Sequence, residues 1–158
     1  MGTFVFVHVL LSLVGIFSGF VVLFGMLAAK RLNGWTATFL VTTVATSVTG
    51  FFLPAAHFMP SHAIGILSLI VLALAIFARY GRHLAGAWRR TYVISAVLAL
   101  YFNVFVLIAQ TFQKVPALKA IAPTQSEPPF AIAQLVVLVL FVVFGVPAVI
   151  KFRNEPGI

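Results

Sequence analysis

Five long apolar runs alternate with short polar gaps along this chain. They cover residues 3–29, 35–53, 61–80, 91–112 and 129–150. A helix that crosses a bilayer needs about 20 apolar residues, so the pattern predicts five transmembrane helices. Pro54 stops the second run and Pro60 stands just ahead of the third, where a proline suits a helix start. Pro147 falls inside the fifth run and predicts a kink there. The longest gap, residues 113–127, contains VPALKAIAP, a short amphipathic stretch bounded by prolines. It predicts an interfacial turn or helix. No repeat, linker or low-complexity tract divides the chain. The expected fold is an all-α integral membrane protein, a single bundle of five helices in one domain over residues 1–158.

Composition agrees with that reading. The chain is 63% hydrophobic and 8% charged, against about 25% charged residues in an ordinary soluble domain. So much apolar surface requires lipid as its solvent.

Charge adds an orientation. Eight of the ten basic residues form three clusters at alternate gaps: Lys30 and Arg31; Arg79, Arg82, Arg89 and Arg90; Lys151 and Arg153. Positive loops stay cytoplasmic. The N-terminus is therefore expected outside and the C-terminus in the cytoplasm, with Lys114, Lys119 and Glu127 on the outer side. Trp35 and Trp88 fall at cytoplasmic ends, where interfacial aromatics belong. Helix length and charge bias together point to a bacterial inner membrane. The first run has no positive charge before Lys30 and is too long for a signal-peptide core, so it reads as a retained helix.

The net charge of +8 does not imply nucleic acid. The basic residues sit at the ends of apolar runs, where anionic lipid attracts each by about 1 kcal/mol, and no basic recognition motif accompanies them. The expected partners are membrane lipids, with a homo-oligomer or a larger membrane complex also open. There is no cysteine, which excludes disulfides, thiolate metal sites and iron–sulfur clusters. Asp is absent and the only acids are Glu127 and Glu155, so no paired carboxylate is at hand. Without H-E-x-x-H or G-x-S-x-G, the chain reads as no enzyme on its own.

Helical spacing separates inner from outer faces. His8, Ser12, Gly15 and Gly19 form one stripe on the first helix, with a GxxxG that permits close backbone approach. The second helix carries Thr36, Thr38, Thr42, Thr43, Thr46, Ser47 and Thr49. Such hydroxyls can bond to their own backbone, so this surface reads first as packing and second as the lining of a polar path. On the fourth helix Ala96, Ala99, Asn103 and Gln110 share a face, with Asn103 about 14 Å from the outer end. On the fifth, Gln134 and Gly145 share a face. Buried amides need partners.

Of the four histidines, His83 lies in a basic cytoplasmic loop and reads as solvated. His8, His57 and His62 all fall toward the outer leaflet, at the level of Gln110, Gln134 and Glu127. Imidazoles there suit a metal ion, an axial haem bond or proton transfer beside a quinone. The candidate cofactor residues are therefore His8, His57, His62, Asn103, Gln110 and Gln134. The candidate metal ligands are His8, His57, His62 and Glu127. The leading expectation is a small inner-membrane protein binding such a cofactor, or a small subunit of a membrane redox complex. The alternatives are a transporter or channel for a small neutral solute and a non-catalytic accessory or assembly subunit.

Overall fold

A computed structural model describes residues 3–28, 32–52, 60–123 and 127–151. The chain folds as α1 (Thr3–Leu27), α2 (Asn33–Gly50), α3 (Pro60–Ile76), a π-helical turn (Phe77–Gly81), α4 (Trp88–Lys114), α5 (Pro116–Ile121) and α6 (Pro128–Lys151). No strand occurs among the described residues. Among the described residues, four segments are long and apolar enough to cross a membrane: Phe6–Leu27, Ala63–Gly81, Trp88–Phe112 and Pro128–Lys151. They coincide with four of the five expected runs. The remaining run is also a helix, α2, but its hydroxyl-rich sequence keeps it out of that group. Its 18 residues rise about 27 Å, close to the hydrocarbon thickness of about 30 Å.

The helices gather around α1 and α4. The first packs on α2, α4 and α6; the second packs on α3 and α6 as well. Leu23 and Met26 of α1, Phe39 of α2, Leu72 of α3, Leu100 of α4 and Phe141 of α6 belong to one continuous core. Aromatic contacts seat α6: the Phe141 ring lies 5.8 Å from Phe20 and 5.5 Å, edge-on, from Tyr101. The opposite face of α6 exposes Ile132, Leu135, Val139, Val143 and Val146. In water that row would be a liability; against lipid tails it needs no cover.

Gly19 shows why the first helix carries a glycine stripe. A Cβ there would lie 2.5 Å from Leu100 Cδ1 and 3.0 Å from the Phe39 ring. The backbone of α1 thus touches α2 and α4 where any side chain would intrude.

Two element ends differ from the sequence pattern. The second helix stops at Gly50, three residues before the expected end at residue 53. The chain tightens there, with Phe51 N–H donating to Val48 O (3.2 Å) and Phe52 N–H to Thr49 O (3.0 Å). The turn lays the Phe51 ring over α3, where a Cβ on Gly65 would be 3.1 Å away. The third helix ends in a wide π turn, closed by Arg82 N–H on Phe77 O at 2.8 Å. His83 and Leu84 then take left-handed φ values of 53° and 59°, a conformation that disfavours side chains by about 1–2 kcal/mol per residue. Burial of Leu84 in the core and its N–H bond to Ala78 O (2.9 Å) hold the turn. His83 is exposed, as its loop position suggested.

The π turn also carries Arg79 inward. The sequence groups this residue with a cytoplasmic basic cluster, yet it is only 3% exposed. Its guanidinium donates to Tyr92 Oη (3.1 Å) and to Asn33 Oδ1 (2.6 Å), joining α2, α3 and α4. Its Cζ also sits 5.2 Å from the centre of the Tyr92 ring. Arg89 makes a second tie, donating to Val149 O at 2.8 Å. That carbonyl is in the last turn of α6, where helix carbonyls lack intrahelical donors. Pro147 lies within α6, which continues to Lys151. The amphipathic stretch is the short helix α5, none of whose residues is buried.

Substitution of the contact glycine should discriminate packing from propensity. We expect Gly19→Val to lower the thermal unfolding midpoint in detergent, at a cost of about 1–3 kcal/mol from overpacking. Gly34→Ala, whose Cβ would meet nothing within 4 Å, should leave the midpoint unchanged or raise it.

Candidate functional site

The polar residues of α1 meet those of α2 and α4 along one seam. At its start, His8 Nδ1 lies 2.7 Å from Thr49 Oγ1. The Thr49 hydroxyl is 2.7 Å from Ala45 O, to which it donates. With that proton committed, the imidazole Nδ1–H is the donor. The ring also lies against Gly50, with Cε1 3.4 Å from where a Cβ would be. One turn further along α1, Ser12 Oγ donates to Asn103 Oδ1 at 3.2 Å. This is the interhelical partner that an amide at this depth requires. A further turn along, Gly15 faces Thr42, Thr43 and Asn103.

The hydroxyls of α2 divide into three groups. Thr38, Thr42, Thr46 and Thr49 donate to carbonyls four residues back in their own helix, at 2.6–3.0 Å. These need no partner from outside. Thr36 hydrogen-bonds Tyr92, and Ser47 Oγ donates to Ser68 Oγ at 3.3 Å. Thr43 stands apart: it is 1% exposed, and its Oγ1 has no hydrogen-bond partner among the described residues. Asn103 Nδ2 and Gln134 Oε1 are buried in the same condition. The other half of each amide is engaged, Asn103 Oδ1 by Ser12 and Gln134 Nε2 by Phe105 O at 3.3 Å.

The expected outer-leaflet constellation is therefore described in part. His8 is half-buried and oriented. Asn103 and Gln134 are buried on inner faces, with Ala96 and Ala99 beside Asn103 and Gly145 on the face of Gln134. Gln110 is partly buried on α4. Glu127 lies just ahead of α6, its carbonyl accepting from Ala131 N–H at 3.1 Å. His57 lies outside the described residues, and His62 is placed only as part of the first turn of α3. Among the described residues no three His, Cys, Asp or Glu side chains come close enough to share a metal ion.

Sequence reasoning did not reach the Arg79–Tyr92–Asn33 cluster. Its one available signal was Tyr92, an aromatic hydroxyl thirteen residues beyond Arg79 in an apolar helix. The π turn that joins them leaves no mark in the hydrophobic pattern.

What these features define is the class: a helical bundle with four membrane-length apolar helices and a polar seam in its interior. No protein family, curated protein or solved structure matches the chain.

The Ser12–Asn103 bond should appear as an energetic coupling. In a double-mutant cycle of Ser12→Ala and Asn103→Leu, unfolding in detergent should give a coupling of about 0.6 kcal/mol and less than about 2 kcal/mol. Strict additivity would show that the two side chains contribute independently.

Proposed function

We propose that the chain is a small protein of the bacterial inner membrane that crosses it five times, with its N-terminus outside and its C-terminus in the cytoplasm. We further propose that it binds a redox cofactor, either quinone, haem or metal ion, toward the outer leaflet and serves as a small subunit of a membrane redox complex. Its surroundings are lipid and partner helices. The observation that carries the cofactor reading is the His8–Thr49 bond. Ionisable side chains inside apolar helices are expensive and concentrate where function needs them. An Nδ1–H held by an anchored oxygen is how proteins set the tautomer and aim of a ligating or proton-transferring imidazole. The basic clusters on alternate gaps support the orientation.

A second reading, passage of a small neutral solute, draws on the unpartnered Thr43 Oγ1 and Asn103 Nδ2. Four α2 hydroxyls bonded into their own helix weaken it, because they offer a solute little to exchange with.

Two measurements test the first reading. Protein purified from native membranes should carry a haem Soret band, a stoichiometric metal or an extractable quinone, and His8→Leu should lose it while still folding. Colourless protein free of metal and quinone would remove the cofactor. A C-terminal alkaline phosphatase fusion should be inactive; periplasmic activity would overturn the orientation.

A further inference from the structure

We propose that the basic end of the bundle binds the headgroup of an anionic phospholipid, seated where the start of α4 meets the end of α6 and gripped by Arg90 and Lys151. The bond from Arg89 to Val149 O, at 2.8 Å, holds these two helix ends together. Arg90 follows Arg89 directly, Lys151 lies two residues past Val149, and both are exposed. A third exposed cation, Arg82, stays beside the first residue of α4 by lying over the Trp88 ring, 5.5 Å from its centre. No acid among the described residues stands near enough to neutralise this end. The one acid they include, Glu127, lies just ahead of α6, and the 24 residues of that helix put it about 36 Å from Lys151. Glu155, outside the described residues, offers a single charge against these three cations. Most of the balancing charge therefore comes from outside the chain.

What adjoins the cations decides between a soluble anion and a lipid. Ile94 and Leu98 follow Arg90 at four-residue steps on one face of α4, and both are exposed. On α6, Val146 and Ile150 are exposed in the two turns before Lys151. Each helix thus carries an exposed apolar strip that runs from its cation toward the bilayer interior. A phosphate free in solution would use the cations and leave the strips bare. A phospholipid uses both, with its phosphate on the guanidinium and ammonium and its chains along the strips. The guanidinium gives paired N–H donors to phosphate oxygens, and the ammonium gives a point charge. A headgroup that is negative overall is preferred, because the cation of a zwitterionic one would face three like charges. Basic loops are attracted to an anionic leaflet in general, without a defined place. Here two helix ends fixed to each other define one, and the bound lipid bridges them. The inference rests on the basic end and the lipid around it, not on the cofactor or the orientation.

The test is native mass spectrometry of the full chain in detergent, titrated with phosphatidylglycerol, phosphatidylcholine or soluble glycerol phosphate. Phosphatidylglycerol should fill a saturable site, and phosphatidylcholine should bind about tenfold more weakly or less. Arg90→Gln combined with Lys151→Gln should weaken phosphatidylglycerol binding about 25-fold, or about fivefold for each cation removed. Lys119→Gln, which removes an exposed cation from α5, should leave it unchanged. Arg90→Lys combined with Lys151→Arg keeps both charges and should retain binding, which separates loss of charge from loss of local structure. Equal affinity for the two lipids, or phosphatidylglycerol binding undiminished in the double glutamine variant, would overturn the proposal. Displacement of phosphatidylglycerol by glycerol phosphate at equal concentration would also overturn it, by assigning the site to a soluble anion. Absence of haem, metal and quinone from purified protein would dismiss the cofactor and leave the lipid titration intact.

Discussion

Hydrocarbon offers no hydrogen bonds, and the interior of this bundle is arranged around that fact. A polar group at mid-bilayer depth must find its partner within the protein. Solutions at three ranges are visible. Hydroxyls of α2 fold back onto carbonyls one turn away. The Ser12–Asn103 and Ser47–Ser68 bonds cross between neighbouring helices. At the Arg79 end, a guanidinium draws on two other helices at once. Each solution fixes a helix more tightly than the last, from its own rotation to its position among several neighbours.

Close approach is what makes the interhelical bonds reachable. Serine and threonine side chains are short, so they bridge two helices only where backbones nearly touch. The glycines of α1 provide that proximity: Gly19 admits Leu100 and Phe39, and Gly15 admits Thr43 and Asn103. The alternation along α1 of small residues with hydrogen-bonding ones is therefore one device. Small residues bring α2 and α4 in, and Ser12 and His8 bond what arrives.

Much of this was legible from residue spacing. The stripe of His8, Ser12, Gly15 and Gly19 follows from the 3.6-residue period, and the structure turns that stripe toward α2 and α4. The four apolar spans follow from length and composition alone. The back-bonding of α2 threonines follows from general behaviour of hydroxyls in apolar helices. Less was legible where conformation departs from the regular helix. Pro54 invited a late end to α2, but the end is set by Phe51 packing over Gly65, a contact between residues fourteen apart. Arg79 looked like one more cytoplasmic charge because a π turn, which redirects it by changing the helical pitch locally, has no sequence period of its own. Which hydroxyl would stay unbonded, Thr43 rather than its neighbours, depends on where the glycine of another helix arrives.

The hydroxyl content of α2 bears on how the protein is made. On a five-crossing topology this segment is the second to leave the translocation machinery, and by itself it is the least willing of the five to enter lipid. Its back-bonded threonines hide part of its polarity, and α1 covers Thr43 and Thr49 only once that helix is already in place. In the finished bundle, the Gly15–Gly19 surface of α1 is thus what shields the hydroxyls that α2 does not bond for itself.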